Sequence, residues 1–324
     1  MILPIDDAPS NGEDLPEMGE SFAAMLAATG PLDPIVTAVV HPCDESSLEG
    51  ALAAKDHGLI TPLLVGPEAR IREVADEHNL DISGLEIVTS AHSHDSARLA
   101  VQLVHEGRAQ ALMKGALHTD EVMGEVVHKE RGLRTERRMS HIFVLDVPRY
   151  PKPLLISDAA INIFPDLQTK ADIIQNAIDL GHALGVDLPK VAILSAVETI
   201  YPKIPSTVEA GALCKMADRG QITGGLLDGP LAFDNAVSKD AAETKGIVSD
   251  VAGDPDILIA PDLEAGNMIA KQLMYLAGAD SAGIVMGARV PVMLTSRADG
   301  TLSRIISAAL AQLVVHHRQG KTIL

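Results

Sequence analysis

At 324 residues the chain is long enough for two domains, and 47% hydrophobic residues with only 4 Phe, 3 Tyr and no Trp call for an aliphatic core, which suits α/β layers better than an all-β sandwich. Lys+Arg 26 against Asp+Glu 44 give a net charge of −18, a surface that repels DNA and anionic membrane and argues against nucleic acid as a partner. No apolar run reaches the ~18 residues of a membrane span; Asp6, Asp7, Glu13 and Asp14 stand where a signal peptide is basic, and Cys43 and Cys214 have no Cys-x-x-Cys spacing, so a reducing cytoplasm without disulfides or a zinc ribbon is expected.

Residues 1–18 mix Pro4, Pro9 and Pro16 with acids and read as a disordered acidic tail. From Ile35 onward apolar runs alternate with amphipathic stretches: IVTAVV then Ser46 to His57, PLLVG then Pro67 to Asn79, LEIV then Ser93 to His105, and ALMKG then Thr119 to His128. That alternation is a βαβ rhythm, so a mainly parallel sheet with right-handed crossovers and functional loops after the strand ends is expected. Gly58 closes one helix, Pro67 opens the next, and Thr119 with Asp120 offers capping oxygens.

VPRYPKP, from Val147 to Pro153, concentrates three prolines, each of which removes a ladder donor, so a connection or domain boundary belongs there. Beyond it come PLLIS, a helix from Thr169 to Leu184, VAILS, a helix from Thr207 to Ala217, GGLLD, DILIA, a helix from Glu264 to Leu276, GIVMG, PVMLT and a final helix from Gly300 to His316.

There is no Walker A loop, no G-x-G-x-x-G behind the first strand and no G-x-S-x-G elbow, so ordinary kinases, Rossmann dehydrogenases and α/β hydrolases lose support. The cluster His92, Ser93, His94, Asp95 sits at a helix start, where capping explains it better than a metal; no metal site is expected.

Three stretches carry more. HKERGLRTERR places Lys129, Arg131, Arg134, Arg137 and Arg138 in an acidic chain, and reads either as an anion-binding mouth or as a solvated helix end paired with Glu130 and Glu136. TSRADGT, Thr295 to Thr301, follows an apolar strand and precedes a helix, where free N–H groups, Arg297 and Ser296 suit an anion, although Asp299 also reads as a plain N-cap. PDLEAGN, Pro261 to Asn267, repeats the strand–loop–helix setting with Gly266 allowing close backbone approach, and SDAAIN, Ser157 to Asn162, leaves room with small residues.

Taken in order, MKGALHT, GLRTERRMSH, SDAAIN, PDLEAGNM and VMLTSRAD resemble the phosphate acetyltransferase and phosphate butyryltransferase family over nearly the whole chain after the tail. GLRTERRMSH and SRAD are more similar to the butyryl-type members. The resemblance implies reversible acyl transfer between coenzyme A and phosphate, with acyl-CoA, phosphate and acyl phosphate as partners, no bound cofactor and a homodimer. It also implies two three-layer α/β domains around a cleft, as in the isocitrate and isopropylmalate dehydrogenases. Domain one would then hold residues 19–150 and 290–324, and domain two 151–289. The matched motifs put Lys114, Thr119, Arg134, Arg137, Arg138, Ser140, Asp158, Asn162, Gly266 and Asn267 at the substrates.

Acetyl-type members carry an acidic residue seven positions beyond the Ser of Ser-Arg, where this chain has Ser303, a Cys where it has Ala159, and an Arg near Met123 and Gly124. A coenzyme A thiol of pKa about 8.5 needs a base to attack an acyl phosphate, and charge develops on the carbonyl oxygen and the leaving phosphate. Ser296 and Arg297 suit those charges; Asp299 is the favoured base and Asp158 the alternative. A silent acyl-CoA-binding protein and a metal-dependent NAD dehydrogenase of the same fold are the competing readings.

Overall fold

The aliphatic runs form strands and the stretches between them form helices in a computed structural model that describes residues 18–295 and 300–320. In chain order the elements are α1 (Glu20–Thr29), β1 (Ile35–Val40), α2 (Glu45–Asp56), β2 (Ile60–Gly66), α3 (Glu68–Glu77), β3 (Glu86–Thr89), α4 (Ser93–His105), β4 (Ala111–Lys114) and α5 (Thr119–Val126). Then follow β5 (Ser140–Asp146), β6 (Leu154–Ser157), α6 (Leu167–Ala183), β7 (Lys190–Leu194), α7 (Pro205–Asp218), β8 (Leu226–Leu231), α8 (Phe233–Val237) and α9 (Lys239–Thr244). The last are β9 (Ile257–Ile259), α10 (Leu263–Leu276), β10 (Asp280–Met286), β11 (Val292–Met293) and α11 (Thr301–Arg318).

Among the described residues one sheet has the order β3-β2-β1-β4-β11-β10-β5-β6-β9-β7-β8. The block β3-β2-β1-β4-β11 is parallel throughout, as is β6-β9-β7-β8, and antiparallel β10 and β5 join them. The seven-residue strand β5 is absent from the expected alternation. It runs straight out of the basic stretch, and its polar ends Ser140, His141 and Asp146 obscure an interior that the fold buries. The prolines of VPRYPKP lie in the connection from β5 to its antiparallel neighbour β6. Helices α1, α8 and α9 were likewise not expected.

One cap comes from a residue other than the one expected. His118, not Thr119, is the N-cap of α5, and its backbone N–H donates to the Glu121 carboxylate at 2.7 Å. Asp44 caps α2 and Asp166 caps α6, each accepting from the backbone three residues on.

The core has three parts. The largest lies on one face, where α1, α2, α3, α6, α7 and α11 pack on both halves of the sheet. On the opposite face α4 and α5 cover the first block, and α8 and α10 cover the second. Helix α11 is buried from Leu302 to His316, and each of its fully buried aliphatic side chains contributes about 1.5–3 kcal/mol. Its polar Gln312 is accommodated because Nε2 donates to the carbonyl of Asp33 at 3.0 Å. Covering the opposite face in two separate patches leaves a gap over part of β5, between α5 and α10. Among the described residues no helix is long and apolar enough to cross a membrane.

Candidate active site

A cavity of about 360 Å³ occupies that gap. Its walls are Lys114 at the end of β4, Leu117, His118 and Thr119 at the start of α5, His141 and Phe143 from β5, Ala160, Lys271 from α10, and Leu294 and Thr295 beyond β11. His141 and Phe143 both line it because alternate residues of a strand share a face, and their rings meet edge to face at 4.5 Å. Leu117, Phe143 and Leu294 make an apolar side, whereas Lys114, Lys271, Thr119 and Thr295 offer donors. No carboxylate lines it among the described residues. The arrangement suits a small molecule with an anionic group and an apolar tail.

A slightly larger cavity, about 430 Å³, lies between α1 and the C-terminal ends of α6 and α11. It is walled chiefly by residues such as Ala24, Met25, Leu184 and Leu313 and receives none of the loops that follow parallel strands, so the strand-end cavity is the stronger site.

Lys114 is 5% exposed, and its Nζ lies 3.4 Å from the Thr295 carbonyl. Ser296, Arg297 and Asp299, expected to do the chemistry, lie outside the described residues. The chain on either side is placed: Thr295 lines the cavity, while Gly300, Thr301 and Ser303 line a neighbouring one of about 410 Å³. Lys271 borders both.

Asp158 is 3% exposed and organises its own loop. One carboxylate oxygen accepts from the N–H groups of Ala160 (2.9 Å) and Ile161 (3.1 Å), the other from the Asn162 backbone (3.1 Å) and side-chain amide (2.5 Å). Both oxygens are thus engaged by the loop's own N–H groups, and Asn162 extends the brace to the Met139 carbonyl at 2.9 Å. Gly266 supplies the close approach expected of it: a Cβ there would stand 2.6 Å from the Asp158 carbonyl oxygen and 3.3 Å from Cα of Ala159. Asn267 completes the contact by donating to the Ala159 carbonyl at 3.1 Å. These four residues thus set the loop that brings Ala160 to the cavity.

The basic stretch borders a separate cavity of about 510 Å³ on the other side of this loop, lined by Arg134, Thr135, Arg137, Arg138, Ile161, Asn162 and Thr169 among others. The expected partners Glu130 and Glu136 are not used: Arg131 forms two 2.9 Å bonds to Glu125, and Arg137 pairs with Asp179 at 2.5 Å. Chain direction explains this, because the run is a loop into β5 rather than a helix end. Among the described residues neither Arg134 nor Arg138 forms a side-chain ion pair. Ser140 is fully buried, accepts from the Asn176 amide at 2.9 Å and ties α6 to β5, away from the cavity walls.

Neither cysteine lines the cavity, and burial pushes the Cys43 thiol up to about 11 and the Cys214 thiol up to about 12, which disfavours either as a nucleophile. The expected capping role of the His92–Asp95 cluster holds: the His92 ring accepts from the Asp95 N–H at 3.3 Å. Among the described residues no cluster of three or more His, Cys, Asp or Glu side chains is placed to hold a metal. Sequence reading missed Phe143 and Lys271, while His141 and Thr295 lay inside quoted motifs without a role of their own. Lys271 had a signal, because it stands four residues after Asn267 on the same helical face.

Residues 90–312 match the phosphate acetyl/butaryl transferase family. The phosphate acetyltransferase of Rhizobium meliloti is 58% identical over 308 residues, which are 95% of this chain and 98% of that protein. The phosphate butyryltransferase of Clostridium acetobutylicum is 42% identical over 275 residues, 85% of this chain and 91% of that one. A branched-chain phosphotransacylase from Enterococcus faecalis V583 superposes with a TM-score of 0.76 at 31% identity, covering 87% of this chain and 99% of the other. A match across two thirds of the sequence, with relatives this similar over nearly its full length, means that the chain belongs to the phosphate acetyl/butyryl transferase family.

Proposed function

We propose that this protein reversibly transfers an acetyl or short-chain acyl group between coenzyme A and phosphate: acyl-CoA + phosphate = acyl phosphate + CoA. The observation that carries this reading is the cavity between α5 and α10, where Lys114 and Lys271 face an apolar wall of Leu117, Phe143 and Leu294 beside Thr295. An acyl phosphate has that division, an anionic head beside a short apolar tail.

In the proposed mechanism the coenzyme A sulfur, on losing its proton, attacks the carbonyl carbon, and the carbon–oxygen bond to phosphate breaks with its electron pair leaving on phosphate. Ser296 and Arg297 meet the charge on the carbonyl oxygen and the phosphate, with Lys114 adding positive potential. Asp299 takes the thiol proton, a role favoured by the engagement of Asp158 with four N–H donors of its own loop. The acyl phosphate is already activated, so the proposed reaction uses no resident cofactor. The division into 19–150 with 290–324 and 151–289, the isocitrate dehydrogenase-like architecture, the homodimer and the cytoplasmic location belong to the same proposal.

The test is coenzyme A release from acetyl-, propionyl- and butyryl-CoA with and without phosphate. Phosphate-dependent release is expected and also ranks the acyl chains. Binding of acyl-CoA without turnover means a silent binding protein and overturns the reading.

A further inference from the structure

We propose that Arg304 is a positioning residue for the transfer reaction, fixing Thr295 in the wall of the cavity between α5 and α10. The inference rests on the acyltransferase reading above.

Arg304 is 4% exposed and lies near the start of α11, where the helix dipole disfavours a cation and where its neighbours Leu302, Ile305 and Ile306 are buried apolar side chains. A buried guanidinium is costly unless its head is well partnered, so packing alone gives no reason for one here. Helix α2 is built to admit it: a Cβ on Gly50 would stand 2.2 Å from Cδ of Arg304. Its Nη1 donates to the Thr295 hydroxyl at 2.8 Å, and Nη2 lies 3.5 Å from the Ser46 hydroxyl. Asp44, which caps α2, is held below its ordinary carboxyl value; burial pushes it up, but its bonds from Ser47 and the Arg304 charge outweigh that.

Thr295 is therefore gripped twice. Arg304 holds its hydroxyl and Lys114 approaches its carbonyl at 3.4 Å, so β4 and α11 meet at this residue, and Arg304 links it in turn to Ser46 at the start of α2. A residue held this way keeps its place in the cavity wall beside Lys114. Displacement by about 1 Å at a reacting group can cost on the order of 10²-fold in rate, which makes the clamp a determinant of turnover rather than of affinity.

The experiment compares kcat and KM for acetyl-CoA and phosphate in the full chain with Arg304→Met, Thr295→Val, the double variant and Thr295→Ser. Each of the first two is expected to lower kcat about 10- to 100-fold with KM for acetyl-CoA within about threefold. The double variant should lose no more than the worse single one, because both remove the same contact, and Thr295→Ser should retain most activity. A kcat per folded molecule within twofold of the parent, or losses that multiply in the double variant, overturns the proposal. Should Arg304→Met not fold, Gly50→Ala presses on the same side chain and is expected to lower kcat alike; full activity there overturns it. If the parent shows no phosphate-dependent release, the acyltransferase reading is what fails. The clamp is then decided by amide hydrogen exchange in peptides containing Thr295, where equal protection in Thr295→Val and Thr295→Ser overturns it.

Discussion

Replacing Asp158 by Asn separates an organiser of the loop from a base. The carboxylate accepts two N–H bonds on each oxygen. An Asn amide accepts on one side only, so in either orientation its NH₂ faces two donors and two bonds are lost. Bonds to a charged acceptor are worth about 1.5–3 kcal/mol each, and partial relaxation brings the expected loss to about 3 kcal/mol. At roughly 2.1 cal/mol/K per residue the unfolding entropy of 324 residues is about 0.7 kcal/mol/K, so Tm should fall by about 4 °C. Because the loop carries Ala160 to the cavity, kcat/KM should drop about tenfold while the shape of its pH profile stays that of the parent. Circular dichroism melts and coenzyme A release between pH 5 and 9 measure both. An unchanged Tm together with loss of the acidic limb would refute the reasoning and make Asp158 the base.

Gly266→Ala should push α10 away from the 158–162 loop, because the new Cβ meets backbone at 2.6 Å, and overpacking of this kind costs about 1–3 kcal/mol; parent-like melting and turnover would show that the contact yields. Arg134→Ala and Arg138→Ala should raise KM for acyl-CoA about threefold or more and flatten its salt dependence, whereas Arg137→Ala, already paired with Asp179, should do less. Equal KM in all three variants would return the stretch to a solvated surface. Asp280 is raised above its ordinary value, first by burial and then by Asp146, its cross-strand neighbour. A carboxyl whose folded pKa is raised binds its proton more tightly when folded, so its share of stability is present below about pH 3.8 and declines as pH rises through the folded value. Asp280→Asn should accordingly raise Tm at pH 7 relative to the parent and leave it little changed near pH 3; a lower Tm at pH 7 would contradict this.

Much of the secondary structure was legible because aliphatic runs and capping residues are local signals. Ser93 to His105 is a helix over the whole expected stretch, and the others shift by only a few residues. β5 was not legible, since a strand with polar ends following a run of arginines has no local signature; only pairing with β6 and β10 makes it one. The loops 157–162 and 261–267 stood out in the sequence by their small residues, and the structure adds how Gly266 and Asn267 join them.

By itself the sequence determined the α/β class, the strand-and-helix alternation and the resemblance from which the chemistry was first inferred. These depend on periodicity and on motifs whose members are near one another in the chain. Only the tertiary structure decided that Lys114, His141, Lys271 and Thr295 share one cavity, that Asp158 spends its charge on its own loop, and that Arg304 grips Thr295. The physical reason is that a side chain's chemistry is set by what it meets in space. Here those partners come from strands and helices more than a hundred residues apart, brought together where the two helical covers of the sheet leave its centre open.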